Sequence, residues 1–71
     1  MDRGDRVKFK SGSKARHNWL VGDEMAGTII ARYRIPRRPG PERLDVRFGG
    51  GIVVWGERAS EFEQAKFDTL Q

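Results

Sequence analysis

The sequence predicts an all-β domain, a small antiparallel barrel of about five short strands that ends in a short helical turn. Three observations carry that prediction. Residues 26–34 form the longest run rich in β-branched and aromatic side chains. The stretches 6–10 and 43–48 alternate apolar with charged residues at the period of a half-buried strand. Between them lie clusters of glycine, proline and serine that interrupt a sheet ladder.

Gly4-Asp5 is a turn-like entry to the first strand, where Val7 and Phe9 face one way and Arg6, Lys8 and Lys10 the other. Ser11-Gly12-Ser13 ends it, and no alternation resumes before Ala26, so residues 11–26 are expected as a long loop. A loop of that length in a small domain is more often functional than idle. It brings together Lys14, Arg16, His17, Asn18 and Trp19. Leu20 is expected to fold back over the core; for Trp19, a lid and a binding role stand level.

The central strand, 26–34, is read with Ile29, Ala31 and Tyr33 on the core face and Ile30, Arg32 and Arg34 on the other. The next stretch, Ile35-Pro36-Arg37-Arg38-Pro39-Gly40-Pro41-Glu42, is a hairpin connection, because its prolines lack the donor a ladder needs. Leu44, Val46 and Phe48 then point inward, with Asp45 and Arg47 on the charged face. Gly49-Gly50-Gly51 turns tightly into Ile52-Val53-Val54-Trp55, a short strand apolar on both faces. A solvent-facing position there is ordinarily polar, so one of the pairs Ile52/Val54 and Val53/Trp55 is expected to meet something beyond the local core.

At the end, 56–64 suits one 3₁₀ or α turn feeding a last short strand. Ser60 and Glu63 also fit a capping box, which leaves a helix through Phe67 or Leu70 as the alternative. Residues 64–71 are expected either frayed or in that short helix. The expected core is Val7, Phe9, Ile29, Ala31, Tyr33, Leu44, Val46, Phe48, Val54 and Phe62.

The length, 71 residues, fits a single domain over 1–71, near the lower size at which a hydrophobic core suffices without staples. With no cysteine and one histidine, disulfides and thiolate metal sites are excluded, and His17 alone makes no metal site. No apolar run approaches the roughly 20 residues that span a bilayer, and Met1-Asp2-Arg3-Gly4 does not begin a secretory signal. The expectation is a soluble cytoplasmic protein without a membrane partner. Charge is uneven: residues 1–56 hold 12 Lys/Arg against 6 Asp/Glu, and the remainder is acidic. A basic body raises the prospect of nucleic acid or an acidic protein surface.

The order Gly-Asp-Arg-Val, a long loop, Gly-Thr-Ile, Val-Arg-Phe and a terminal Ala-Ser-Glu-Phe resembles an SH3-like barrel of the bacterial kind. Within that fold, Gly4-Asp5-Arg6-Val7 with Lys10-Ser11-Gly12, and Gly27-Thr28-Ile29-Ile30-Ala31-Arg32-Tyr33, resemble the plasmid-borne, trimethoprim-insensitive (type II) dihydrofolate reductases. That resemblance implies a homotetramer whose central pore binds NADPH and dihydrofolate. The pore segment falls on Ile52, Val53, Val54 and Trp55. The family's pore glutamine falls at Val53, its tyrosine at Trp55, its serine near Gly51, and its key lysine at Phe9, with Lys10 beside it; most of the polar pore groups are therefore absent. Leu44-Asp45-Val46-Arg47-Phe48 with Ala59-Ser60-Glu61-Phe62 is similar to the small stromal photosystem I subunit. The Gly-Asp-x-Val opening also resembles transcription-linked KOW and Tudor-type barrels. Both of these kinds are binding modules.

Two functions from different classes follow. The first is a non-catalytic binding module with no cofactor. Its basic face comprises Arg32, Arg34, Arg37, Arg38, Lys8, Lys10 and Trp19, set against nucleic acid or an acidic protein partner, and Trp55 with Val53 forms an apolar patch for self-association as a homo-oligomer. The alternative is an NADPH-dependent dihydrofolate reductase. Tyr33, read as a core residue, is not counted among the stacking rings. No pair of carboxylates or histidine-centred triad supports acid–base or nucleophilic catalysis, and Gly49-Gly50-Gly51 lacks the lysine and helix start of a phosphate loop.

Overall fold

The computed structural model describes residues 1–22, 24–37 and 39–65. Among these are five strands and one short helix: β1 (Arg6–Phe9), α1 (Lys14–Asn18), β2 (Gly27–Tyr33), β3 (Arg43–Phe48), β4 (Val53–Arg58) and β5 (Phe62–Gln64). The strands make one antiparallel sheet in the order β4-β3-β2-β1-β5. Phe48 N–H donates to the Ile52 carbonyl and closes the glycine turn between β3 and β4. A 3₁₀ turn at Ala59–Glu61 feeds β5, so the turn-then-strand ending is the one observed. The helix through Phe67 or Leu70 lies outside the described residues.

The sheet is not closed into the expected barrel. β5 is three residues long and pairs all three with β1 on one side, Val7 with Gln64 through Phe9 with Phe62. No ladder joins it to β4 among the described residues, and these two strands are the edges.

One face of the sheet holds the core: Val7, Phe9, Ile29, Leu44, Val46, Phe48, Val54 and Phe62 are buried. The stretch expected as a bare loop completes it. α1 buries Ala15, and Val21 follows it into the core. Trp19 caps the helix C-terminus and packs partly buried against the same cluster. Leu20, expected as a lid, is instead 84% exposed. It adopts a left-handed φ of 59°, which turns it away from the core and sends the chain on to Val21.

Two expected core residues are also displaced. Ile29 pairs with Val46 but Ala31 pairs with Asp45, so Ile30 is an extra residue on β2. Such a bulge reverses which residues face inward, since side chains alternate at period two. Ala31 and Tyr33 therefore lie on the outer face, opposite Asp45 and Arg43, and Arg32 lies opposite the core residue Leu44. Tyr33 is 38% exposed.

Gly27 explains why β2 and β3 approach closely at their other end. A Cβ there would stand 2.7 Å from a Val46 methyl carbon and 2.8 Å from the Arg47 carbonyl oxygen. The second neighbour is backbone and cannot rotate away. Gly27→Ala is expected to destabilise the fold by about 1–3 kcal/mol, the usual cost of overpacking. A lower urea midpoint at unchanged slope is the result that checks it.

Candidate binding face

The structure does not gather the expected basic residues on one face. Arg32, carried to the core side by the bulge, forms ion pairs with Asp2 and Glu42, the latter at 3.0 Å, and donates to the Met1 carbonyl. Lys8 meets Glu24 at 3.0 Å and Glu63 at 3.9 Å. Trp19 donates its indole N–H to Glu57 at 3.2 Å. Arg34 donates to the Gly40 carbonyl within the β2–β3 connection, and Arg37 is exposed there at a positive φ. Lys10 is exposed at the end of β1, beside a shallow hollow where Ser13 already donates to Glu61. Arg38 lies outside the described residues.

The apolar strand divides. Val54 is fully buried, Ile52 packs partly buried against the core, and Val53 is half-buried opposite Arg47. Trp55 stands 60% exposed.

A different group of side chains converges on the outer face of β2, β3 and β4. Asp45 is its centre. The extra residue Ile30 lies across from the Val46–Asp45 step on one side. On the other, the Val54–Val46 and Glu57–Leu44 pairs leave two residues, Trp55 and Gly56, facing Asp45 alone. Both neighbouring strands are thus bulged around one aspartate, and its side chain is drawn into the gap and buried. Asp45 Oδ1 accepts the Tyr33 hydroxyl at 2.9 Å and the Gly56 N–H at 2.7 Å. Gly56 needs its positive φ of 67° for that approach, and a Cβ on it would come within 3.1 Å of the Tyr33 hydroxyl. The Gly56 carbonyl accepts from Arg43 Nη1 at 2.7 Å.

The hydrogen bond to Asp45, followed by burial and by the carboxylate's charge, pushes the Tyr33 phenol above its ordinary pKa; Arg43 opposes this more weakly. At neutral pH Tyr33 is a fixed, neutral donor.

Around this centre the face carries Tyr33 and Trp55 as rings and Arg43, Arg47 and Arg58 as cations. Register places Arg43 across from both Tyr33 and Arg58, and Arg47 across from Val53. Among the described residues none of these three arginines forms an ion pair with a carboxylate. Glu57 of β4 lies opposite Leu44 on the core side, so Asp45 is the one acidic side chain of these strands on this face, and it is occupied.

The alternation of the central strand places Tyr33 in the core, and alternation alone does not single out Asp45, Arg47 or Arg58 as site residues. The signal that could have found them is Gly56: a glycine directly after an apolar strand, with charge resuming beyond it, marks a bulge as readily as a strand end. Nothing in Ile29-Ile30-Ala31 announces the bulge on β2.

No group of His, Cys, Asp or Glu among the described residues could hold a metal ion. No protein-family model matches the chain, and neither curated proteins nor solved structures show significant similarity to it.

Proposed function

We propose that the chain is a non-catalytic, SH3-like binding module that takes single-stranded nucleic acid on the outer face of β2, β3 and β4. The SH3-like reading is supported by the long segment after the first strand, the proline-bearing connection, the glycine turn and the 3₁₀ turn before the last strand, here on an open sheet. The observation that carries the function is Trp55. It stands exposed on a hydrogen-bonded strand, beside arginines that form no ion pair with a carboxylate among the described residues and a carboxylate already satisfied.

The chemistry fits that ligand. Aromatic rings stack on bases of any sequence, and arginines track the phosphates between them. A rigid sheet orders few groups on binding, because Tyr33 is already held by Asp45. An acidic protein surface would use the arginines but would gain less from Trp55.

The test is a titration of the protein into a fluorescently labelled oligothymidylate, about 12 nucleotides long, at several salt concentrations, read by fluorescence anisotropy. With three phosphates neutralised, log K is expected to fall against log salt with a slope of about −2. Trp55→Ala is expected to weaken binding about tenfold, the loss of one stacked base, while the far-UV spectrum stays unchanged. No binding at low salt would overturn the reading. A solution mass above that of the monomer, lost on Trp55→Arg, would point instead to self-association through Trp55 and Val53.

A further inference from the structure

At the end of the same face, Ile35, Pro39, Gly40, Pro41, Arg43 and Arg58 line a cleft of about 320 Å³. We infer that this cleft is a phosphate site, built to seat one backbone phosphate of the strand whose base stacks on Trp55. The inference rests on the nucleic-acid reading above and adds the seat that fixes the strand's position.

Arg43 and Arg58 are directly opposed across β3 and β4. Like charges in that arrangement repel, and a sheet with no ligand to serve would be expected to avoid it or to place a carboxylate beside it. Arg43 is fixed by its bond to the Gly56 carbonyl, which leaves the rest of its fork of donors for another acceptor. Arg58 is exposed. An oxyanion between the two guanidiniums replaces repulsion with charge-assisted hydrogen bonds, which the planar donor fork of arginine makes to phosphate.

Ile35, Pro39 and Pro41 add apolar surface to the same lining, suited to a sugar. The volume lies at the small end of ligand sites, enough for a phosphate and its sugar. Arg58 follows Trp55 by three residues on one strand, at most about 10 Å and less through the bulge at Gly56, so one strand of nucleic acid can engage both.

The experiment compares Arg58→Gln with the unmodified protein in the oligothymidylate titration. Arg58→Gln is expected to weaken binding about fivefold and to make the salt slope shallower by about 0.7, one phosphate contact in a single strand. The free variant should melt no lower than the parent, since the change removes a repulsion. Replacing backbone phosphates of the oligonucleotide with neutral methylphosphonates should cost the variant less than the parent. If Trp55→Ala weakens binding and Arg58→Gln does not, the phosphate site is overturned and the binding face stands. If neither variant alters binding, both readings fall. A fivefold loss with an unchanged salt slope would also overturn the site, because it would mean Arg58 acts without neutralising a phosphate.

Discussion

Phe9→Ala is expected to leave the chain largely unfolded at 37 °C, or to lower its stability by about 3–5 kcal/mol where folding persists. Phe9 is the middle of three rings. Its centroid lies 5.8 Å from that of Phe48, with the planes 5° apart, and 4.5 Å from that of Phe62. The three rings come from β1, β3 and β5, so this stack connects the shortest edge strand to the middle of the sheet. β5 has only three residues and pairs on one side; its place depends on Phe62 having a ring to pack on. A domain of this size has about 5–10 kcal/mol of stability in total, and the substitution removes a large part of it. Urea denaturation followed by tryptophan fluorescence is the measurement, because Trp19 rests on the same core. Phe9→Leu, which keeps most of the volume, is expected to cost less than about 1.5 kcal/mol. Equal losses for the two substitutions would show that the stack contributes nothing beyond one filled position.

What the sequence made legible follows from the reach of its signals. Val7 and Phe9, and Leu44, Val46 and Phe48, sit in unbroken alternation within strands that hold one register against the core, and all five are buried. Alternation is a local property, and on β1 and β3, which carry no extra residue of their own, it is sufficient. Ala31 and Tyr33 obey the same alternation and are displaced by one extra residue, Ile30, whose presence depends on the neighbouring strand. Pairing register is non-local, so the run Ile29-Ile30-Ala31 carries no mark of it. The same change separated Arg32 from the face to which it was assigned and brought Tyr33 to the face where the candidate site lies. Ala15 and Val21 escape the alternation for a different reason: α1 has five residues, too few for a helical period to show, and Val21 lies beyond it, after the left-handed turn at Leu20. The expected barrel overreached because a count of strands does not determine whether the edges meet.

Asp45→Ala is expected to destabilise the fold by roughly 2–3 kcal/mol and, more tellingly, to alter how the chain's tyrosine titrates. Asp45 accepts two hydrogen bonds at one buried carboxylate oxygen. Removing it leaves the Gly56 N–H without its acceptor inside a bulge that exists to reach it, and bonds to a charged group are each worth about 1.5–3 kcal/mol. The Tyr33 hydroxyl lies nearer to solvent and can turn to water, which holds the sum below twice that figure. Asp45→Asn keeps an acceptor and should cost less than half as much. The chain has a single tyrosine, so phenolate absorbance against pH reports Tyr33 alone. In the folded parent its pKa is raised by the bond to Asp45 above the value it has when unfolded. The stabilisation is therefore complete below the ordinary tyrosine pKa of about 10 and is lost as pH rises through the folded value, where phenolate and carboxylate would face each other. Asp45→Ala should return the titration toward the ordinary range and remove this alkaline loss. A parent whose tyrosine already titrates at the ordinary value would mean that Tyr33 is not held by Asp45 in solution. Its ring would then be free to turn, and the preorganised face on which the nucleic-acid reading depends would lose one of its two aromatic supports.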